Sequence, residues 1–173
     1  MMNPKMVDAL NQQINEEYYS SYIYLAMAAY LDDQDLDGMG HWMRMQAQEE
    51  HLHAMKIFDY MLERGARVEL AAVAAPPRAW DSPLGAFEGA LEHEQYMTAN
   101  INKLVDLAIE ERDHATNNIM QWYVSEQVEE EANVENIVKK LKMMGDTGHG
   151  LFMMDRELAN RPAPSIVAAA EGA

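Results

Sequence analysis

The chain contains no cysteine, which excludes disulfides, zinc ribbons and thiolate-held iron–sulfur clusters. It is also short of positive charge. Lysine and arginine number 13 against 29 aspartates and glutamates, a formal net charge of −16. Such a surface repels nucleic acid and anionic membranes, so neither is expected as a partner. Acidic surfaces attract cations, although solubility alone accounts for the charge. No apolar run reaches the ~18 residues that a transmembrane helix needs. The first residues carry neither the basic region nor the apolar stretch of a signal peptide. The expectation is a soluble, cytoplasmic protein.

What is present is helix punctuation. The length, 173 residues, suffices for one domain with a real core. Asn3-Pro4 reads as a cap followed by a first helical residue. That helix should run to about Leu31, before the acidic turn Asp32 to Asp37. A second helix begins near Gly38 and stops at Gly65, a left-handed terminator. Ser82-Pro83 repeats the cap-then-proline signal and opens a third helix. Asp113 caps a fourth, which ends at Gly145 after Lys139, Lys140 and Lys142, cations suited to the negative end of a helix dipole. A short fifth helix follows, about Gly148 to Asn160, and then a Pro/Ala-rich tail. Residues 1–145 are therefore expected to form a four-helix bundle, 146–160 a fifth helix, and 161–173 a tail without core structure.

The seams carry the chemistry. Helix one places Val7, Leu10, Ile14, Glu17, Ser21, Tyr24, Ala28 and Leu31 at steps of three and four. Helix two repeats this with Met39, Met43, Gln46, Glu50, His53, Ile57 and Tyr60. Helix three gives Leu84, Phe87, Leu91, Glu94, Thr98, Ile101, Val105 and Ala108. Helix four gives Met120, Tyr123, Gln127, Glu130, Val134, Ile137, Leu141 and Met144. Each stripe suits burial in a bundle, apolar near its ends and polar in the middle. The same interruption in four helices predicts one shared polar layer. The 15 methionines read as adaptable core filler rather than as ligands.

Loop lengths predict the topology. Short links make helices one and two, and three and four, antiparallel hairpins. The segment from Ala66 to Asp81, about 16 residues, spans roughly 50 Å when extended. Helix two, about 28 residues, is roughly 42 Å long. The segment can therefore cross the whole bundle and leave helices two and three parallel.

Four buried carboxylates cannot all ionise unaided. Like charges raise one another's pKa, and an uncompensated buried ion costs several kcal/mol. No lysine or arginine falls on a seam near these positions; Arg64 comes only at the far end of helix two. Two divalent ions would neutralise the four charges. Glu50 and His53, three residues apart, project side by side and can reach one ion. Glu50 is the natural bridge between two ions. Oxygen-rich ligation with one imidazole favours iron or manganese over zinc. The alternative is a polar layer in which His53 pairs with one carboxylate while the others stay protonated.

Three stretches carry a family resemblance: Glu17-Tyr18-Tyr19-Ser20-Ser21, then Ala47-Gln48-Glu49-Glu50-His51-Leu52-His53-Ala54, and Gln121-Trp122-Tyr123-Val124-Ser125-Glu126-Gln127-Val128-Glu129-Glu130-Glu131. The chain resembles the ferritins, specifically the non-haem bacterial type, over about residues 1 to 160. The Glu-x-x-His element with single glutamates from other helices is the pattern of di-iron bundles. The resemblance implies an all-α ferritin-like four-helix bundle with a long crossover and a short fifth helix. By it, Glu17, Glu50 and His53 hold a first iron, and Glu50, Glu94 and Glu130 a second, with Gln127 alongside. Glu49, Glu126, Glu129 and the shared Glu130 match a third iron site. Tyr24 becomes a catalytic tyrosine beside the site, a hydrogen-bond partner and electron donor, and Trp122 packs near it. The implied activity is oxidation of Fe²⁺ by O₂ or peroxide and storage of ferric oxyhydroxide in a homo-oligomeric shell of 24 subunits.

Haem is not expected. The residue after Glu50 is His51, where bacterioferritin has its haem-ligating methionine. Gln127-x-x-Glu130 replaces the second Glu-x-x-His of bacterioferritin and rubrerythrin. His41, His93, His114 and His149 read as surface or packing residues. Two other functions stay open at this stage: a cage that sequesters iron without catalysis, and a di-metal oxygenase acting on an organic substrate.

Overall fold

The computed structural model describes residues 2–145 and 148–165. Five helices make up its regular structure: α1 (Pro4–Asp32), α2 (Asp37–Glu63), α3 (Pro83–Glu110), α4 (His114–Met144) and α5 (Gly148–Leu158). The capping side chains fall where the sequence places them. Asn3 accepts from the Lys5 amide, Ser82 from Gly85 and Asp113 from Thr116. Gly65 and Gly145 end α2 and α4 with φ of 67° and 61°, a conformation glycine adopts without Cβ strain. No cap precedes α2 in sequence. Instead Asp155 of α5 accepts from the Met39 amide at 2.9 Å. The short fifth helix thus satisfies a donor that the chain before α2 leaves open.

The antiparallel hairpins α1–α2 and α3–α4 pack face to face, and α5 lies against α2 and α4. The crossover runs along α1 as its length allows. Asn11 donates to the Arg67 carbonyl at 3.1 Å and accepts from the Glu69 amide at 2.8 Å. Asn15 reaches the Ala72 carbonyl at 3.2 Å. Near the other end of α1, Tyr30 and Trp80 rings meet at 5.5 Å.

Two apolar clusters divide the interior. One joins Tyr24, Met27, Leu31, Met39, Met43, Phe87, Val134, Ile137 and Met154. The other joins Met6, Leu10, Ile14, Ile57, Met61, Ile101, Leu104, Met120 and Tyr123. On every helix of the bundle a buried glutamate, Glu17, Glu50, Glu94 or Glu130, falls between the two, with His53 beside Glu50. The expected seam is displaced at several positions. On α3, Ala90, Met97 and Leu104 are buried, while Leu91, Thr98 and Val105 are only half-buried flanks. On α1 and α2, Met6 and Met61 take the places foreseen for Val7 and Tyr60. A helix with 3.6 residues per turn drifts relative to any fixed stripe. The tail from residue 166 lies outside the described residues.

Candidate metal centre

Glu17, Glu50 and His53 are buried, and one ligand atom of each lies within 4.8 Å of the others. His53 Nδ1 stands 3.5 Å from Glu50 Oε2 and 3.9 Å from Glu17 Oε2. A second set, His53, Glu126 and Glu130, converges within the same limit. The two sets share His53 and draw on α1, α2 and α4.

Glutamine amides orient three of the carboxylates. Gln13 donates to Glu17 Oε1 at 2.9 Å and Gln46 to Glu50 Oε1 at 2.7 Å, each from one turn earlier on the same helix. Gln127 donates to Glu94 Oε2 at 3.2 Å from the facing helix. The Tyr24 hydroxyl donates to the other oxygen of Glu94. Glu130 differs: its Oε2 is buried and has no hydrogen-bond partner. A buried carboxylate oxygen left open beside an imidazole and other carboxylates is the donor chemistry a divalent cation requires.

The electrostatics of the layer follow from crowding in low dielectric. Burial and the Glu50 charge push Glu17 and Glu94 up to about 8, against the opposing pull of His53 and their amide partners. Glu130 is raised well above the ordinary carboxylate range by burial, then by Glu50 and Glu94. Burial opposes the charge on His53, but the hydrogen bond and charge of Glu50 outweigh it and raise His53 to about 10. Burial likewise opposes the Glu50 charge, yet His53 and Gln46 bring its pKa below the ordinary value. Without cations, and at neutral pH, these shifts favour one ion pair, Glu50–His53, among protonated Glu17, Glu94 and Glu130.

Glu94, expected with Glu50 and Glu130, is buried in the same layer, with its oxygens engaged by Tyr24 and Gln127. Of the residues expected at a third position, Glu126 joins His53 and Glu130. Glu49 is paired with Arg161, and Glu129 is exposed. The Trp122 ring meets His53 edge-on at 5.4 Å. His93 is buried and bonded to Ser20 Oγ at 2.7 Å, a packing residue, while His114 and His149 are exposed.

Sequence reasoning missed Gln13 and Arg161. The first had a signal, because Gln13–Glu17 repeats the four-residue spacing of Gln46–Glu50. The second had none, since it meets Glu49 across 112 positions of sequence.

Comparison with known proteins places this geometry in context. The family model for the Ferritin-like domain matches residues 7–144. The bacterial non-heme ferritin of Campylobacter jejuni is 41% identical over 160 residues, covering 92% of this chain and 96% of that protein. Its counterpart in Bacteroides fragilis is 39% identical over 161 residues, covering 93% and 100%. Among solved structures, an open pore ferritin from the hyperthermophilic archaeon Archaeoglobus fulgidus superposes with a TM-score of 0.93 at 53% identity, covering 94% of this chain and 100% of that one. An engineered closed form of the same ferritin gives a TM-score of 0.94 at 52% identity, covering 95% and 100%.

Proposed function

This chain belongs to the ferritin family, in the likeness of its non-haem bacterial members, and from that membership we propose that it stores iron and oxidises Fe²⁺ itself. The observation that carries the proposal is the buried convergence of Glu17, Glu50 and His53 within 4.8 Å, beside the unpartnered Glu130 oxygen. Iron is the substrate. Glu17, Glu50 and His53 receive one ferrous ion. Glu50, Glu94 and Glu130 receive a second, with Gln127 next to it. Glu126, Glu130, Glu49 and Glu129 form the acidic surroundings of a third.

The residues of the layer have definable tasks. The two apolar clusters keep bulk water from the reacting ions and strengthen every charge interaction between them. Gln13 and Gln46 each hold one carboxylate oxygen, of Glu17 and Glu50, which leaves the other free to face an ion, while Gln127 and Tyr24 between them orient both oxygens of Glu94. Arriving cations displace the protons held by Glu17, Glu94, Glu130 and His53. In the reaction two ferrous ions each lose one electron. Dioxygen takes both, with two protons, to become hydrogen peroxide; peroxide takes both, with two protons, to become water. Tyr24, bonded to Glu94, orients that carboxylate.

The product accumulates as ferric oxyhydroxide within a homo-oligomeric shell of 24 subunits in the cytoplasm. No helix among the described residues is long and apolar enough to cross a membrane. Aerobic addition of Fe²⁺ to the metal-free protein tests the proposal, with absorbance following oxidation and light scattering sizing the product. Saturable oxidation that is lost in Glu50→Ala and His53→Ala is expected. Equal rates in wild type and Glu50→Ala would favour sequestration without a catalytic centre.

A further inference from the structure

Arg161 lies just past the turn that ends α5, and α2 holds it at four points. Its guanidinium sits over the Trp42 ring, 4.2 Å from the centroid. Nη1 donates to the Trp42 carbonyl at 3.4 Å, and Nη2 donates to Glu49 Oε2 at 2.5 Å. Its own carbonyl oxygen lies 2.9 Å from His41 Nε2. Both members of the ion pair are shielded, with side chains 16% and 25% exposed. The stacked, forked guanidinium is a geometry that lysine does not reproduce.

Glu49 neighbours Glu50 in sequence and acts electrostatically on both Glu126 and Glu130. It therefore stands near the converging set His53, Glu126 and Glu130, and the reading given above assigns it to the third position. Its carboxylate, however, is bonded to a cation from the C-terminal segment. A metal ion using Glu49 must pull against that bond. The contest is between two cations for one carboxylate.

We infer that Arg161 is a counter-cation built into the chain, which competes with a third ferrous ion for Glu49 and sets how readily that position fills. This rests on the metal-centre reading given above. Arg161 is a positioning residue in this role: it acts through Glu49 and touches none of the first two ions' ligands. Filling of the third position is then coupled to release of Arg161 from the face of Trp42.

Anaerobic titration calorimetry of Fe²⁺ into the metal-free, full-length assembly separates the possibilities. Wild type, Arg161→Ala, Arg161→Lys and Glu49→Gln are compared. All four are expected to take up two tight ions per subunit. Arg161→Ala should bind the third ion about fivefold more tightly, the scale of a partly shielded ion pair. Arg161→Lys, which keeps the charge but loses the stack on Trp42 and the fork, should fall between wild type and Arg161→Ala. Glu49→Gln should lose the third ion, and adding Arg161→Ala to it should not restore binding. A third-ion affinity unchanged or weakened in Arg161→Ala, with the two tight ions intact, would overturn the inference alone. Absence of the two tight ions from wild type would overturn the metal-centre reading and this inference with it.

Discussion

His53 Nδ1 stands 3.5 Å from Glu50 Oε2, one helical turn along α2, inside a layer almost closed to water. This is the one stable charge pair of the metal-free centre. It explains how a chain with so few cations tolerates acids in its core. The imidazolium stabilises one carboxylate, and protons neutralise the rest.

A pH dependence follows from that arrangement. Glu17 and Glu94 are raised from 4.5 to about 8, so between those values the folded chain keeps protons that the unfolded chain has released. His53 is raised from 6.5 to about 10 and behaves the same way over its own window. Stability falls with pH wherever the folded state holds more protons. The metal-free protein should thus be most stable near pH 5 and melt progressively lower toward pH 9. Below 4.5 the sign reverses for Glu50, whose lowered pKa contributes stability that acid removes. With Fe²⁺ bound under anaerobic conditions the slope above pH 5 should flatten, because the ions replace the protons. Thermal unfolding across a pH series, with and without metal, checks both curves. A metal-free melting temperature that climbs from pH 5 to 9 would refute the neutral buried acids.

Glu130 makes the conflict between stability and function measurable. Its Oε2 is buried without a partner, and burial and the nearby carboxylates of Glu50, Glu94 and Glu49 raise its pKa. Glu130→Gln keeps the shape and removes an acid that must take up a proton to fold. The metal-free variant should gain on the order of 1–3 kcal/mol in denaturant unfolding, the scale of one buried polar mismatch. Its Fe²⁺ oxidation rate should fall at least about tenfold, as when an oriented ligand is lost. A variant that is both destabilised and fully active would contradict the role given to this oxygen.

Tyr24 and Gln127 hold Glu94 from opposite sides, one from α1 and one from α4. Tyr24→Phe leaves a buried carboxyl oxygen without its donor and should destabilise the metal-free protein by about 1–3 kcal/mol. Metal affinity at the Glu94 side should drop about 10- to 100-fold, while the Glu17–Glu50–His53 side is spared. Calorimetry should therefore resolve one weakened and one unchanged ferrous ion per subunit. Uniform weakening of both would mean that Tyr24 supports the layer as a whole.

Much of this was legible in the residues. Helix bounds were, because caps, prolines and terminal glycines are local signals: Asn3, Ser82, Asp113 and Gly65 all act where they stand. The polar layer was legible too, since Glu17, Glu50, His53, Glu94 and Glu130 interrupt their seams at matching heights. What stayed hidden depends on distant parts of the chain meeting. Asp155 capping α2, Arg161 seizing Glu49 and His93 bonding Ser20 join positions more than 70 residues apart. The choice of Ala90 and Met97 over Leu91 and Thr98 on α3 depends on rotation of the helix against its neighbours, which periodicity leaves loose.

Gly38 tests how α5 is attached. A Cβ built there would lie 1.9 Å from the Asp155 carbonyl oxygen, a backbone atom that cannot turn aside. The helices approach this closely because Gly38 has no side chain, and the approach lets Asp155 cap the Met39 amide. Gly38→Ala should force α5 away, break that cap and cost about 1–3 kcal/mol, the usual penalty of overpacking. Hydrogen exchange should accelerate through Gly148–Leu158, while the amides of α1 and α3 keep their protection. Gly148→Ala is the control, since its Cβ meets nothing within 4 Å; it should leave both the melting temperature and the exchange pattern near wild type. If Gly38→Ala proved equally silent, the contact between α2 and α5 would have room that the backbone positions deny.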